Sequence, residues 1–268
     1  MRDQHVHSPY CPHGSTDTLE AYVHNAKKHN LREISFTEHA PLPQGFIDPT
    51  PLKDSAMSWS DLPQYLKDVQ LIKEKYKRDI KVNVGLEIDY IEGFEHETRA
   101  FLDEYGLLLD DSILSVHFIK KENNYYCIDY SEDNFHTIIQ QYGNIRFVYD
   151  KYFDTLKKSI LSDLGPYKPT RIGHITLVEK FKKKYPAPFE LSSYSNTILD
   201  LIVQKKYSLD YNGAGIVKPL CGETYPPLSI ATEAAKRKIP LIYGSDAHSA
   251  KDLMQGYEFI NSNLLIEN

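Results

Sequence analysis

With 268 residues, 31 basic against 37 acidic side chains and a formal charge of −6, the chain has room for one α/β barrel and no positive excess to hold nucleic acid. No apolar run approaches the ~20 residues of a membrane span, no N-terminal targeting segment is visible, and the scattered Cys11, Cys127 and Cys221 imply neither disulfides nor a thiolate zinc site. One soluble, cytoplasmic domain over residues 1–268 is the expectation, and nothing specifies an oligomeric state.

Along the chain, β-branched and aromatic runs alternate with helical patterns, which predicts repeated βα units around a mostly parallel sheet. A strand over Gln4–His7 comes first, then a helix over Thr18–Lys28 with Asp17 as its N-cap and Glu20 in capping-box position. A strand over Glu33–Thr37 leads into the proline-rich segment Ala40–Ser60, which carries the only tryptophan, Trp59, and reads as an ordered flap able to cover a substrate. A helix over Asp61–Lys77, a strand over Lys81–Ile88, a helix over Phe94–Tyr105 and a strand over Ser112–Phe118 follow. The loop Ile119–Asp133, with Tyr125, Tyr126 and Tyr130, is longer than a minimal barrel needs, and long loops at a barrel rim commonly carry function. Helices over Asp133–Gln141 and Ile145–Leu161, a strand over Arg171–Ile175, a helix over Ser195–Lys206, a strand over Leu209–Asn212, a helix over Pro227–Arg237 and a strand over Pro240–Gly244 complete the pattern.

Seven of the eleven histidines fall at or just past strand ends. His5 and His7, two residues apart, share one face of an extended strand, and His13 lies in the loop beyond. His39 ends the second strand in Phe36-Thr37-Glu38-His39, and Glu87 ends the third in Val84-Gly85-Leu86-Glu87. His117 ends the fourth, His174 sits in Gly173-His174-Ile175, and Gly244-Ser245-Asp246-Ala247-His248 closes the series. In a parallel barrel these positions converge on the C-terminal rim, where active sites sit. Imidazole and carboxylate together suit zinc, iron or manganese, and the cluster is large enough for more than one ion. The other histidines, His24, His29, His96 and His136, fall in or beside helices and read as ordinary surface residues. Glu38 and Asp89 are candidates to orient ligands from behind, the alternative being simple solvated carboxylates; Cys11 reads as small filler beside the site, and the lysine-rich run Phe181–Tyr185 as a solvated turn or helix face, the alternative being that one of its lysines reaches substrate phosphate.

Taken in order, the H-x-H start, the third histidine, the T-E-H, G-x-E, S-V-H and G-H segments and the terminal S-D-A-H resemble the motif set of the PHP (polymerase and histidinol phosphatase) superfamily over nearly the whole chain. Pro9-Tyr10-Cys11-Pro12-His13-Gly14, Ser112-Ile113-Leu114-Ser115-Val116-His117 and Asn212-Gly213-Ala214-Gly215 followed by Lys218-Pro219 are most similar to its histidinol-phosphate phosphatase branch. That resemblance implies a distorted (β/α)7 TIM-like barrel holding three divalent ions. His5, His7, Glu87 and Asp246 would hold the first ion, Glu87, His117 and His174 the second, and His13, His39 and His248 the third. Val217 and Thr176 depart from the branch, which often has an arginine and an acidic residue there.

Adjacent divalent ions lower the pKa of a shared water, so hydroxide attack on a phosphate monoester needs no serine or cysteine nucleophile. The expected reaction is hydrolysis of L-histidinol phosphate in histidine biosynthesis, with a small-molecule phosphate ester as the only partner. Lys218 and Arg171 are expected to anchor phosphate, Glu223 to take the cationic part of the substrate, and Asp246 or His248 to assist proton transfer to the leaving group. The competing readings are a PHP phosphoesterase acting on nucleotides, phosphotyrosine or sugar phosphates, a metal-dependent C–N hydrolase, and a non-catalytic metal-binding module.

Overall fold

A computed structural model describes residues 1–266, two short of the expected span 1–268. Its elements in chain order are β1 (Arg2–Val6), α1 (Leu19–Lys28), β2 (Glu33–His39), α2 (Leu62–Tyr76), β3 (Lys81–Asp89), α3 (Glu95–Tyr105), β4 (Asp111–Ser115), β5 (Phe118–Lys121), β6 (Asn124–Cys127), α4 (Glu132–Tyr142), α5 (Ile145–Leu161), β7 (Arg171–Ile172), α6 (Ser192–Lys205), β8 (Ser208–Asn212), α7 (Ala214–Val217), α8 (Leu228–Lys236) and β9 (Leu241–Gly244). Seven strands form one parallel sheet in the order β1-β2-β3-β4-β7-β8-β9. The gap between β9 and β1 is bridged just past their ends, where His7 N donates to Ala247 O at 2.9 Å and Asp246 N to His5 O at 2.7 Å. The result is a nearly closed barrel, as the sequence pattern implied.

Helices cover the outside through apolar stripes of helical period. In α1, Leu19, Tyr22, Val23 and Ala26 are buried, and in α2, Leu62, Tyr65, Val69, Ile72 and Tyr76. Every residue of β2 is buried, as expected for a parallel strand covered on both faces. Tyr65 ties α2 to the sheet by placing its hydroxyl 2.7 Å from Gly85 O and 3.1 Å from Phe36 O.

Several sequence expectations need correction. The N-cap of α1 is Thr18, whose side chain accepts from Ala21 N; Asp17 instead accepts from Ala250 N at 2.9 Å, fixing the turn after β9. β4 stops at Ser115 instead of running to Phe118, because the Asp89 carboxylate takes the amide of His117 at 3.3 Å and turns the chain out of the sheet. The long loop that follows is an antiparallel hairpin, β5 paired with β6. β7 is only two residues long, and His174 lies beyond it.

Candidate metal centre

Side chains at alternate positions of a strand share a face, so His5 and His7, from β1 and its end, point the same way, as do Asn83 and Glu87 of β3. β2 and β3 run in register, with His39 opposite Glu87. Glu87 is the hub. Its Oε2 lies 3.4 Å from His5 Nε2, 3.7 Å from His7 Nε2 and 3.1 Å from His39 Nδ1, and its Oε1 lies 2.9 Å from His174 Nε2 and 3.8 Å from His117 Nε2. His7 Nε2 is also 3.1 Å from Asp246 Oδ1, and His248 Nδ1 is 3.6 Å from the same oxygen. His13 completes the group, its Nε2 facing His248 Nε2 at 3.2 Å. All nine residues singled out as ligands therefore converge.

The imidazoles are aimed. His5 Nδ1 donates to Asp210 Oδ2 at 2.9 Å, His7 Nδ1 to Glu38 Oε1 at 3.1 Å, His117 Nδ1 to Asp89 Oδ1 at 2.8 Å, His13 Nδ1 to Asp54 O at 2.7 Å, and His248 Nδ1 to Asp246 O at 3.0 Å. Each anchor fixes the ring and the tautomer, leaving the Nε2 lone pair directed into the cluster. Glu38 and Asp89 thus orient ligands as expected. Asp210 does the same for His5 and was not foreseen; Asn212 Nδ2 donates to both Asp210 Oδ2 at 3.1 Å and Asp246 Oδ2 at 3.2 Å.

The donor set fits divalent cations. His5 Nε2, His39 Nδ1 and His174 Nδ1 are buried without a hydrogen-bond partner, and the two acceptor nitrogens of His13 and His248 face each other, an opposition that a shared cation relieves. Two groups whose donor atoms lie within 4.8 Å of one another, His5-His7-Glu87 and Glu87-His117-His174, share the Glu87 carboxylate. A third, His7-Cys11-His39-His248, brings the Cys11 thiol closer than mere filler. Burial disfavours charge on Glu87, yet His5, His117 and His39 hold its carboxyl well below the usual range. Asp246 is depressed in the same way by His5, His7 and His248, again against burial. In return, despite burial, His7 is raised to about 9 by Asp246 and Glu38, and His117 to about 10 by Asp89 and Glu87. His248 is pushed well below its ordinary value by burial and by His7.

Backbone geometry serves the cluster. Asp246 has φ 54°, a left-handed conformation that few residues other than glycine and asparagine or aspartate accept, and the turn it makes carries its carboxylate over the end of β1. Gly244 leaves room for His5: a Cβ at 244 would stand 2.3 Å from His5 Cβ.

Above the cluster opens a cleft of ≈ 340 Å³, lined by His13, His39, His117, His174, Asp246 and His248 at its floor, by Asp54 and Ser55 of the flap, and by Phe118, Cys127, Asp129 and Tyr130 from the hairpin and its exit. Lys218 lines it as expected. Lys180 also lines it, donating to Asp129 O at 2.6 Å and Oδ2 at 3.0 Å; it stands immediately before the lysine-rich run Phe181–Tyr185 and was not itself singled out. The flap is tied together internally: the Asp48 carboxylate accepts from Thr50 N and Oγ1, both at 2.8 Å, and from Ser55 Oγ at 3.0 Å.

Two expected substrate residues are not in the cleft. Arg171 begins β7, so it sits at the opposite end of the barrel, where its Nη2 donates to Gln4 O at 2.8 Å and Asp111 Oδ2 at 2.9 Å; a strand's first residue and its last lie on opposite rims. Glu223 pairs with Lys182 at 2.5 Å, outside the cleft lining. Of the lysine-rich run, Lys184 pairs with Glu132 at 2.9 Å and Lys183 donates to Pro219 O at 3.1 Å.

Comparison with known proteins agrees with this geometry. The PHP domain family matches residues 3–214. The histidinol-phosphatase of Bacillus subtilis (strain 168) is 46% identical over 261 residues, spanning 96% of this chain and 97% of that protein. A solved structure from Listeria monocytogenes, provisionally assigned as a histidinol phosphatase, superimposes with a TM-score of 0.92 at 40% identity over 97% of this chain and 99% of that one. The fold is also that of the histidinol phosphate phosphatase of Lactococcus lactis subsp. lactis, solved with zinc, L-histidinol and phosphate, at a TM-score of 0.68 and 20% identity over 93% of this chain and 86% of that one. With its ligand positions gathered at one rim and the family match covering most of its length, this chain belongs to the PHP domain family.

Proposed function

We propose that this protein hydrolyses L-histidinol phosphate to L-histidinol and inorganic phosphate. The observation that carries the reading is the convergence of seven imidazoles and two carboxylates on one cluster, five of the imidazoles and Asp246 lining an open cleft, with most of the rings locked from behind so that their lone pairs point inward. The substrate is supported by near-full-length similarity to the Bacillus subtilis histidinol-phosphatase.

Three sets of donors suit three divalent ions, zinc, iron or manganese: His5, His7, Glu87 and Asp246; Glu87, His117 and His174; and His13, His39 and His248. When bound, such ions supply Lewis acidity toward a phosphoryl group and lower the pKa of water. The chain supplies the rest. Glu87 links two of the sets through its two oxygens, Lys218 and Lys180 present cations to the phosphate, and Asp246 with His248 is placed to pass a proton to the departing alkoxide as the P–O bond breaks and water adds to phosphorus. Three buried free thiols suit a reducing cytoplasm, and among the described residues no helix is long and apolar enough to cross a membrane.

The test is phosphate release by metal-loaded protein from L-histidinol phosphate beside nucleotides, phosphotyrosine and sugar phosphates. A kcat/KM at least about a hundredfold higher for histidinol phosphate is expected; a higher value for any other ester would replace the substrate assignment while leaving the phosphatase chemistry.

A further inference from the structure

Part of the cleft lining is made by a unit the metal centre does not use. The flap and the β5–β6 hairpin share a small apolar core: the Phe46 ring packs at 5.4 Å from Phe94, 5.2 Å from Phe118 and 4.9 Å from Tyr125. Tyr130, at the hairpin's exit, packs against the same core and lines the cleft. Among the described residues its hydroxyl has no hydrogen-bond partner, so the phenol is held by the packing of its ring while it lines the cleft. Next to it stands Asp129. Its Oδ1 accepts from Cys127 Sγ at 3.3 Å and its Oδ2 from Lys180 at 3.0 Å, its side chain is 20% exposed, and a carboxylate offers about four acceptor directions, so about two remain toward the cleft. The other carboxylates of the lining are engaged, Asp89 by His117, Asp246 by the cluster and Asp252 by Ser249, except for Asp54 on the flap.

An alcohol that leaves from a phosphate held at the cluster occupies this cleft, within reach of the residues that line it. An aromatic face beside an ionised carboxylate recognises a cationic nitrogen attached to, or part of, a flat ring. We infer that Tyr130 and Asp129 are the specificity-determining pair for the leaving group, Tyr130 stacking on its ring and Asp129 accepting from its cationic nitrogen. This rests on the proposed histidinol phosphate reading and names the part of the chain that reads the alcohol, a role the sequence had given to Glu223. Lys180, tied to the Asp129 backbone and carboxylate, keeps its third N–H for phosphate and so acts on every ester alike.

The experiment compares Tyr130→Ala, Asp129→Asn and Asp54→Asn with the metal-loaded wild type on L-histidinol phosphate and on glycerol 2-phosphate, which carries neither ring nor amine. L-Histidinol is also measured as a competitive inhibitor of glycerol 2-phosphate hydrolysis. KM for histidinol phosphate and Ki for histidinol should rise about tenfold or more in the first two variants, with the ratio of kcat/KM between the two esters falling by the same factor, whereas in Asp54→Asn any change should fall on both esters together and leave that ratio at its wild-type value. Any general loss from freeing Lys180 in Asp129→Asn lowers both esters together and cancels in the ratio. An unchanged ratio in the first two variants, or a shift confined to Asp54→Asn, overturns the assignment. Wild-type protein that ignores histidinol phosphate would fail the functional reading at the first step, before any variant is compared.

Discussion

His5 Nδ1 donates to the carboxylate of Asp210 at 2.9 Å, joining β1 to β8 across 205 positions of sequence, and this bond turns His5 Nε2 toward Glu87. Both side chains are fully buried. Asp210→Asn keeps the shape but weakens the acceptor, so metal affinity or turnover should fall about 10–100-fold with the fold retained. Metal content after dialysis against a graded chelator, read beside far-UV circular dichroism, checks this; wild-type metal retention would show that His5 is not aimed by Asp210.

Metal uptake should release protons near neutral pH. Without metal, His7 and His117 carry pKa values raised to about 9 and about 10, so both are protonated at pH 7 in the folded protein, whereas a ligating imidazole must be neutral. Calorimetric titration with zinc in buffers of different ionisation enthalpy should therefore report net proton release at pH 7, decreasing as pH rises toward 10. Uptake independent of buffer would contradict the charge state derived for these rings.

At Gly244 the absence of a side chain is a requirement of packing. An added Cβ meets His5 Cβ at 2.3 Å and Asp210 Oδ1 at 2.8 Å, and both neighbours are immobilised. Gly244→Ala should cost about 1–3 kcal/mol in urea unfolding and lower metal affinity together. Loss of one without the other would separate packing from ligand placement.

Glu179 gives a pH dependence away from the metal centre. Burial raises its pKa to about 7 despite Lys182, with Glu223 adding to the rise. The folded state therefore binds more protons than the unfolded one between about 4.5 and 7, and its stability falls as pH rises through that window. Glu179→Gln removes the dependence, so the variant should gain on the wild type between pH 5 and pH 8 by on the order of 1–3 kcal/mol. Urea unfolding of metal-free protein at both pH values measures the gap; a gap that does not change with pH would show that Glu179 is solvated.

How much of this was legible follows from where each residue sits in its strand. His39 and Glu87 end neighbouring strands in matching register, so motif and strand end coincided and the cluster could be read from spacing. Arg171 was misplaced because it stands at the start of its strand, in the expected Arg171–Ile175 as in the two residues formed, and so on the rim away from the cluster. Asp210 left a usable signal, a carboxylate between Leu209 and Tyr211 in a strand of a parallel sheet, which needs a buried partner to be tolerated. The pairing of Asp129 with Lys180 left none: they meet through a hairpin and a loop across 51 positions, and no periodicity encodes that path. The same holds for the apolar contact between flap and hairpin, which joins segments that each read as irregular.

The most direct test of the account is phosphate release from L-histidinol phosphate by metal-stripped protein before and after addition of zinc, manganese or iron, with Glu87→Gln alongside. No release from stripped protein, turnover restored by at least one of these ions, and a loss of about a thousandfold or more in Glu87→Gln are predicted. Undiminished turnover in stripped protein held in excess chelator, or full activity of Glu87→Gln, would contradict a phosphatase built on this imidazole–carboxylate cluster.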